Sequence, residues 1–376
     1  MALEHDRVSR APNSALLTSL RLYGDVVLML PLIDMIRQDH PQCAIDMVVP
    51  KGAADLVRHD PRVRRVLQQQ RGRAGYMLKT LFRTDWALTQ NLSDRSVLSV
   101  AFAGRRRRLA AGTIRVRPRE FWKRLLLTDI APVRGGKPVI KWCVTLAQAA
   151  GIEPRRCEAR LFWSTADETA VADLLDPVGG AERCFVLHGF SRYIYKEWPL
   201  ERWTAVSDTI AKRHGLQPVW TGAPSDAKRM REAAGRALVR PVQAAGVLGL
   251  AAISCLLSRA RLYLGVDTAV THMAAACNVP LVALYGPTPI RGWAPWNNFA
   301  AVEYDFPYDG GSFRNGHIST VQDRLTHERD LAAEPLDMQR PTDSMSAISI
   351  DEVLAEAEHV LALPDPRLTT VAVQGA

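Results

Sequence analysis

Short apolar runs alternate with amphipathic segments of helical length through the second half of the chain, and this alternation restricts the fold more than any other feature. The apolar runs cover residues 184–188, 217–221, 261–265 and 280–285. Segments with apolar residues at helical spacing lie between them, at 199–214, 225–238, 250–260 and 269–277. Strands and helices in this order form βαβ units, so we predict an α/β domain with a parallel sheet.

The first half repeats this arrangement less regularly. Three runs are predicted to be strands: 15–20, 45–49 and 86–92. A helix is predicted at 25–38, in which Pro31 introduces at least a bend because proline lacks a backbone N–H. Residues 68–80 and 104–120 show neither period, and we interpret them as loops or as an insertion that faces an acceptor.

The length of 376 residues fits two domains of common size. We place a Rossmann-like domain at 1–175, a second Rossmann-like domain at 182–346, and a terminal helix with its tail at 347–376. The linker candidate is 176–181, and the terminal helix is expected to pack back on the first domain. Two doubly wound sheets that face a central cleft would bind ligands at the carboxyl ends of their strands.

Composition excludes several classes of protein. No run of about 18 continuous apolar residues is present, and residues 1–10 lack the apolar core of a secretory signal, so neither a transmembrane helix nor a signal is predicted. The six cysteines form no CxxC pair, which suits neither zinc nor a disulfide framework. Free cysteines favour a reducing compartment, so we predict a cytoplasmic protein.

The net charge of +9, from 48 basic and 39 acidic residues, is concentrated in one segment. Between residues 104 and 124, nine lysines or arginines accompany one acid, Glu120. A solvated loop is the simpler interpretation, and a dock for a phosphorylated acceptor or an anionic membrane face is the functional one. No RNA-binding signature accompanies the run, so nucleic acid is not predicted as a partner. The functional interpretation makes five arginines anion-binding: Arg105, Arg106, Arg107, Arg115 and Arg117.

A Gly-Asp turn follows the first predicted strand. Gly24 permits a tight turn and the close approach of a donor nucleotide, and Asp25 falls at the first turn of the next helix, with its carboxylate toward the expected cleft. An aspartate there usually caps the helix, so a cap is the simpler interpretation and a catalytic carboxylate the alternative. The turn is not GxGxxG, so a dinucleotide site is not predicted.

Two loops of the second half carry groups suited to a nucleotide. Ser191 and Lys196 follow its first strand, where free N–H groups and an ammonium suit a diphosphate, although Lys196 could equally be an exposed loop lysine. After the next strand, Thr221 and Gly222 could let a base or ribose pack against the backbone, and Asp226 is most simply a helix cap.

The segment that begins at residue 261 is the most informative. A strand runs into Gly265-Val-Asp-Thr268, and a helix of small residues follows, whose N-terminus suits phosphates. His272 lies on the same helix face as Thr268. The simpler interpretation is that Asp267 or Thr268 caps the helix and that His272 is a core histidine. The sequence contains neither DxD nor HExxH and no GxSxG, so neither a metal site nor a serine hydrolase is predicted.

These segments, in this order, resemble one family. They are Leu22-Tyr-Gly-Asp-Val26, Lys196-Glu-Trp-Pro-Leu-Glu-Arg-Trp203, Thr221-Gly222, Gly265-Val-Asp-Thr268 with His272, and Gly286-Pro-Thr288. The chain resembles the ADP-heptose:lipopolysaccharide heptosyltransferases of glycosyltransferase family 9 over roughly residues 15–295 and the terminal helix. It is most similar to the later-acting core heptosyltransferases.

The resemblance implies the GT-B fold and an inverting, metal-independent transfer of heptose from ADP-heptose to a lipopolysaccharide core acceptor. Asp25 is then the general base, and Lys196 contacts the donor phosphates. Asp267, Thr268 and His272 line the nucleotide pocket. No cofactor is implied besides the nucleotide-sugar donor. The first domain takes the acceptor, the second takes the donor, and the basic run adds peripheral contact with the anionic inner face of the cytoplasmic membrane.

Departures from the family pattern leave alternatives open. Family members often carry an acid soon after the Thr-Gly turn, whereas Ala223 and Pro224 follow it here and Asp226 is the nearest acid. A relative that moves another nucleotide sugar onto a different surface glycan is one alternative, and a non-catalytic scaffold that binds anionic glycan is another. An NAD(P)-linked oxidoreductase is the third, but the glycine-rich fingerprint is absent. Oligomeric state is not predicted.

Overall fold

A computed structural model describes residues 11–69, 75–112, 120–133, 139–154, 157–296, 313–322 and 340–370. The chain divides into two compact units. Unit 1 comprises Met1–Phe162 with Asn298–Asp305, and unit 2 comprises Trp163–Asn297 with Phe306–Ala376. Within the described ranges, no helix has the length and apolar character needed to cross a membrane.

Unit 1 is built on a six-stranded parallel sheet with the order β3-β2-β1-β4-β5-β6. Its strands are β1 Ser14–Thr18, β2 Ala44–Pro50, β3 Val63–Gln69, β4 Thr84–Thr89, β5 Gly104–Gly112 and β6 Asp129–Pro132. Its helices are α1 Tyr23–Val27, α2 Leu30–Asp39, α3 Gly75–Thr80, α4 Asp94–Ala103, α5 Phe121–Leu126 and α6 Lys141–Ala149. The predicted α/β arrangement of the first half is therefore confirmed.

Two segments of unit 1 differ from the sequence-based interpretation. Residues 104–112 form strand β5 and not a loop, and residues 75–80 form helix α3. The sequence hid β5 because four consecutive arginines mask its period. Its apolar half, Leu109–Ala111, is fully buried in the sheet, and strand pairing on both sides outweighs the exposed basic half.

Pro31 divides the helix that was predicted at 25–38. Leu28 and Met29 form a turn, and Pro31 lies in the first turn of α2, where its missing N–H needs no partner. Helix α1 is therefore a short, separate helix, and Asp25 lies in its first turn as predicted.

The core of unit 1 forms where α4 covers the sheet. Leu16, Ala87 and Ala110 of three neighbouring strands pack in one cluster with Val97 and Val100 of α4. The side chain of Ser93 accepts the backbone N–H of Ser96 and so caps this helix, a bond worth about 1 kcal/mol.

Unit 2 contains a seven-stranded sheet with the order β12-β13-β11-β10-β7-β8-β9, in which only the β12–β13 pair is antiparallel among the described strands. The strands are β7 Cys184–His188, β8 Gln217–Trp220, β9 Val242–Gln243, β10 Leu262–Val266, β11 Leu281–Tyr285, β12 Phe313–Asn315 and β13 Ile318–Gln322. The helices are α7 Thr165–Leu175, α8 Leu200–His214, α9 Ala227–Ala234, α10 Leu250–Arg259, α11 Ala269–Ala276, α12 Ile290–Trp293, α13 Asp343–Ala347, α14 Ile350–Ala362 and α15 Pro366–Thr370. All four predicted strands of this half are confirmed.

The terminal helix α14 belongs to unit 2, so the expectation that it packs back on the first domain is wrong. Val353, Ala357 and Val360 form its apolar face and lie in the core of unit 2. The chain just before it is also held there, because the indole of Trp198 donates to the carbonyl of Ile348 at 3.1 Å.

The boundary between the units lies at residues 162 and 163, earlier than the predicted linker at 176–181. Helix α7 packs against α10 within unit 2 and buries Val171 and Leu175. Gly179 and Gly180, which suggested the linker, take positive φ angles of 96° and 86° in the turn that leads from α7 to β7.

Candidate active site

The strand order of unit 1 reverses between β1 and β4, and ligands of doubly wound sheets bind at the carboxyl edge of such a reversal. The chain that leaves β1 leads into α1, whose first turn carries Asp25, only 8% exposed. Thr18 and Thr89 end the two strands as register partners. The hydroxyl of each is buried without a hydrogen-bond partner among the described residues, a feature that the sequence reasoning missed.

Burial raises the pKa of Asp25 above that of an ordinary aspartate. The charge of Arg21 and a hydrogen bond from the backbone N–H of Leu22 act in the opposite direction but do not cancel this effect. The bond to Leu22 is a helix cap, so the simpler interpretation of Asp25 holds in part. A carboxylate can accept at both oxygens, and the cap leaves it free to receive a further proton.

The strand order of unit 2 reverses between β7 and β10, and an ion pair bridges this point. Lys196 lies in the loop after β7 and Asp267 directly after β10. The lysine Nζ is 2.5 Å from Oδ2 of the aspartate, with the side chains 19% and 9% exposed. Two residues that the sequence singled out separately are thus brought together at the expected edge.

Lys196 keeps donor capacity beyond this pair. An ammonium group has three N–H donors, and Asp267 is its one hydrogen-bond partner among the described residues. Because a fifth of the side chain is exposed, two donors remain for the oxygens of a ligand.

Helix α11 begins beside the ion pair. Thr268 is its N-cap residue, with extended backbone and no side-chain capping bond. His272 is buried one turn later, and burial lowers its pKa, so the imidazole is neutral at neutral pH. Its Nδ1 has no hydrogen-bond partner in the described part of the chain. This position therefore offers a neutral polar group next to a helix N-terminus.

The loop after β8 adjoins the same edge. The hydroxyl of Thr221 lies 2.9 Å from Nδ1 of His188, and burial lowers the pKa of that imidazole to about 4. Asp226 accepts the backbone N–H of Ala223 at 2.8 Å, which is the capping role expected as its simpler interpretation. A Cβ on Gly222 would lie 3.2 Å from the side chains of Asp226 and Phe190, so this turn is closely packed.

A family model described as glycosyltransferase family 9 (heptosyltransferase) matches residues 125–304. Lipopolysaccharide heptosyltransferase 3 of Escherichia coli is 25% identical over 297 residues, covering 74% of this chain and 85% of that protein. The family model and this relative together support membership of glycosyltransferase family 9. The suspected family and the enzyme class, a glycosyltransferase, are therefore confirmed.

Solved structures show the same fold as this glycosyltransferase. A family 9 glycosyl transferase from Veillonella parvula DSM 2008 has a TM-score of 0.73 and 17% identity, covering 93% of this chain and 97% of that one. The E. coli ADP-heptose lps heptosyltransferase II has a TM-score of 0.69 and 19% identity, covering 93% and 98%. The predicted GT-B class with two Rossmann-like units is confirmed.

The glycosyltransferase holds its Lys196 loop with residues that the sequence reasoning missed. Glu197 is 1% exposed, accepts the backbone N–H of Ser191 at 3.0 Å, and is paired with Arg229 of α9. The guanidinium of Arg229 also lies over the ring of Phe190, 5.3 Å from its centroid. The backbone N–H of the predicted residue Ser191 is therefore fixed in this loop by Glu197. The sequence analysis treated Glu197 only as one member of the Lys-Glu-Trp-Pro motif and gave it no role of its own.

A second support lies on the other side of the same edge. The amide of Gln322, at the end of β13, donates to the carbonyls of Gly286 at 2.7 Å and Thr288 at 3.1 Å. Thr342 donates its hydroxyl to the carbonyl of Tyr195 at 3.2 Å, next to Lys196. Neither residue lies in a motif, so only the tertiary structure reveals these contacts.

The arginines predicted to bind anions lie at the opposite edge of the sheet of unit 1 from Asp25. Arg105 pairs with Asp85 at 3.1 Å, and Arg106 donates to the carbonyl of Ala11. Arg107 is half-buried, donates to the carbonyl of Ala149 at 2.9 Å and lies over the ring of Trp86. The structure does not bring these three together with Asp25. Two further predicted members of the set lie outside the described residues: Arg115 and Arg117.

Within the described ranges, no group of three or more histidine, cysteine, aspartate or glutamate side chains is placed to hold a metal ion. All six cysteines are free, and five of them are buried.

We expect Gly265→Ala to lower the free energy of unfolding by about 1–3 kcal/mol, because overpacking a filled site forces neighbours to move. A Cβ there would lie 2.3 Å from the hydroxyl of Tyr263, which hydrogen-bonds Thr271 of α11 at 2.8 Å. Thr271 in turn donates to the carbonyl of Val266, so this contact orients the turn that carries Asp267.

Urea unfolding measures the loss of stability, and ADP titration measures the effect on the turn that carries Asp267. Gly235→Ala is the matched control, because its Cβ would meet only ordinary contacts of 3.4 Å or more. Equal stability of the Gly265→Ala variant and the unmodified protein would contradict this account of the turn.

Proposed function

We propose that this family 9 glycosyltransferase transfers a heptose from ADP-heptose to a sugar of a lipopolysaccharide core, with inversion and without a metal ion. The relatives described above are named lipopolysaccharide heptosyltransferase 3 and ADP-heptose lps heptosyltransferase II. The observation that carries the proposal is the Lys196–Asp267 pair at the strand-order reversal of unit 2, beside the start of α11.

In the proposed reaction, an oxygen of an acceptor hydroxyl attacks the anomeric carbon of the heptose. The bond from that carbon to the β-phosphate oxygen of ADP breaks, and its electron pair leaves with ADP. The hydroxyl proton passes to the carboxylate of Asp25. Because attack comes from the face opposite to the leaving group, the configuration of the anomeric carbon inverts.

Lys196 and the N-terminus of α11 supply the positive charge that the leaving diphosphate needs. We assign phosphate oxygens of the donor as the partners of the two remaining N–H donors of Lys196. The unpaired backbone N–H groups at the start of the helix provide further hydrogen-bond donors to the same phosphates. A lysine and a helix dipole can provide this stabilisation without a cation bound to the diphosphate.

The nucleoside is assigned to the residues that surround this point. We place His272 and Thr268 on one side of it and Thr221 and Gly222 on the other. A neutral imidazole with an unpartnered Nδ1 suits a base or a ribose hydroxyl better than it suits phosphate. We further propose a cytoplasmic location, which the six free cysteines support.

Calorimetric titration with ADP, UDP, GDP and NAD, first without metal and then with Mg²⁺, tests this function. We expect ADP to bind most tightly and Mg²⁺ to leave its affinity unchanged. Preference for UDP or GDP would replace the donor by another nucleotide sugar. Selective binding of NAD, or of no nucleotide, would overturn the transferase proposal in favour of an oxidoreductase or a binding scaffold.

A further inference from the structure

An arginine-lined cavity of about 450 Å³ opens at the amino-terminal edge of the sheet in unit 1. Its lining residues are Arg64, Arg65, Phe82, Arg83 and Arg105. They begin or directly precede strands β3, β4 and β5, so they lie at the edge opposite to Asp25. The proposed transfer reaction makes no use of this edge.

A β-bulge turns two arginines of the cavity toward one carboxylate. The register of β2 against β3 shifts because Arg64 is an extra residue, so that Arg64 and Arg65 both oppose Asp46. Both guanidinium groups donate to Asp46, which is fully buried. Although burial alone would raise the pKa of Asp46, these bonds hold it below its ordinary value. The aspartate therefore stays charged and fixes two partly exposed arginines at the cavity.

The same arrangement recurs between β4 and β5. Arg105 and Arg106 both lie opposite Asp85 where the register shifts, and Arg105 pairs with this carboxylate. Arg83 directly precedes β4, and its guanidinium has no partner among the described residues. Around the cavity, four arginines therefore face two carboxylates, and the excess charge is positive.

Phe82 adds an exposed apolar ring to this basic edge. Its φ angle of 47° lies in the left-handed region, which a bulky side chain rarely adopts, and its side chain is 55% exposed. Its backbone N–H donates to the carbonyl of Phe102 at 2.7 Å, and both Phe102 and Leu81 are exposed as well. Strained backbone thus presents an apolar group to solvent beside the arginines, and packing within unit 1 does not account for it.

We infer that this edge of unit 1 docks on an anionic phospholipid bilayer. Headgroup phosphates enter the arginine cavity, where planar guanidinium groups bind their oxygens in pairs. Phe82, Leu81 and Phe102 enter the interfacial layer between headgroups and acyl chains. A free phosphate would use the arginines alone, whereas a bilayer uses both the arginines and the apolar side chains. The inference goes beyond the transfer reaction and does not depend on which sugar is moved.

Sedimentation with vesicles of neutral lipid, alone or mixed with an anionic phospholipid, tests the inference with the full chain and no donor. We expect binding to anionic vesicles only, weakened by salt. The Arg64→Gln, Arg83→Gln double variant should lose roughly 30-fold in partition coefficient, because each basic residue near such a surface contributes about fivefold. Asp46 keeps Arg65 as its partner in this variant, so unit 1 should stay folded.

Phe82→Asn tests the apolar part, because asparagine tolerates a positive φ angle and removes the ring. We expect vesicle binding to fall at least about fivefold while the melting temperature is unchanged or higher. Leu238→Asn on unit 2 and Arg58→Gln on unit 1 are controls at exposed sites away from the cavity. Absent binding to anionic vesicles, or binding that all these variants retain, would overturn the inference. Loss of binding in the arginine variant alone, with full competition by inorganic phosphate, would also overturn it and indicate a soluble anion site.

Discussion

Asp25→Asn is expected to lower kcat by about 10²–10⁴-fold, the range that a general base contributes, and to leave ADP affinity nearly unchanged. The asparagine has nearly the same size as the aspartate and keeps part of the hydrogen bonding to the backbone N–H of Leu22. Its amide cannot receive the hydroxyl proton. Initial rates with ADP-heptose and an acceptor measure the first effect, and calorimetry with ADP measures the second.

The pKa of Asp25 gives this prediction a second readout. Because burial raises this pKa, ionisation of the carboxyl group lowers the free energy of unfolding. The full loss of stability is present at pH values above the folded-state pKa. The Asp25→Asn variant should therefore be at least as stable as the unmodified enzyme at neutral pH. The enzyme's rate should fall as pH drops through the raised pKa, and Arg21→Gln should move that limb to higher pH because Arg21 lowers the pKa.

Asp55→Asn, at a pair with Arg58 elsewhere in unit 1, is the matched control and should change neither rate nor affinity. If Asp25→Asn retained more than about a tenth of kcat, Asp25 would be a helix cap only, since loss of a general base removes more than this.

Lys196→Ala is expected to weaken ADP binding by about 30-fold or more, because truncating one member of a buried charge pair typically costs about 2–5 kcal/mol. The substitution removes the two donors assigned to the diphosphate and leaves the carboxylate of Asp267, 9% exposed, without its partner. That carboxylate would then repel the diphosphate. Calorimetric titration with ADP measures the loss directly.

Stability and binding must be separated for this variant. In the Lys196→Ala, Asp267→Asn double variant the unpaired carboxylate is gone, so stability should recover while ADP affinity stays low. Lys212→Ala, at an exposed lysine in the last turn of α8, is the control for loss of one positive charge. ADP affinity within about twofold of the unmodified enzyme for Lys196→Ala would refute the assignment of Lys196 to the phosphates.

The sequence pattern was sufficient to predict the strands that are formed by short apolar runs. Apolar runs bounded by glycine or proline identified β7, β8, β10 and β11, and the carboxyl ends of parallel strands then indicated where Asp25, Lys196 and Asp267 should lie. The ion pair between Lys196 and Asp267 follows from the position of β7 beside β10, an order that alternating strands and helices do not specify.

What the sequence missed depends on contacts between distant segments. Strand β5 was hidden because Arg105–Arg108 obscure its period, although pairing with β4 and β6 makes it a strand. Glu197 and Arg229 form an ion pair although they are 32 positions apart in the sequence. Thr342 donates a hydrogen bond to the carbonyl of Tyr195, which is 147 positions away. Neither residue type nor spacing reveals such contacts, because the intervening chain sets the geometry.

The place of α14 in the core of unit 2 has a consequence for synthesis on the ribosome. The six strands of unit 1 lie within the first 132 residues, so its sheet can form while the rest of the chain is still being made. The core of unit 2 lacks Val353, Ala357 and Val360 until residue 360 has emerged. Until then its other apolar residues, including Trp198 and Trp203, lack part of their packing partners and are exposed to solvent. We therefore expect the nascent chain to need chaperone protection most while unit 2 is being synthesised.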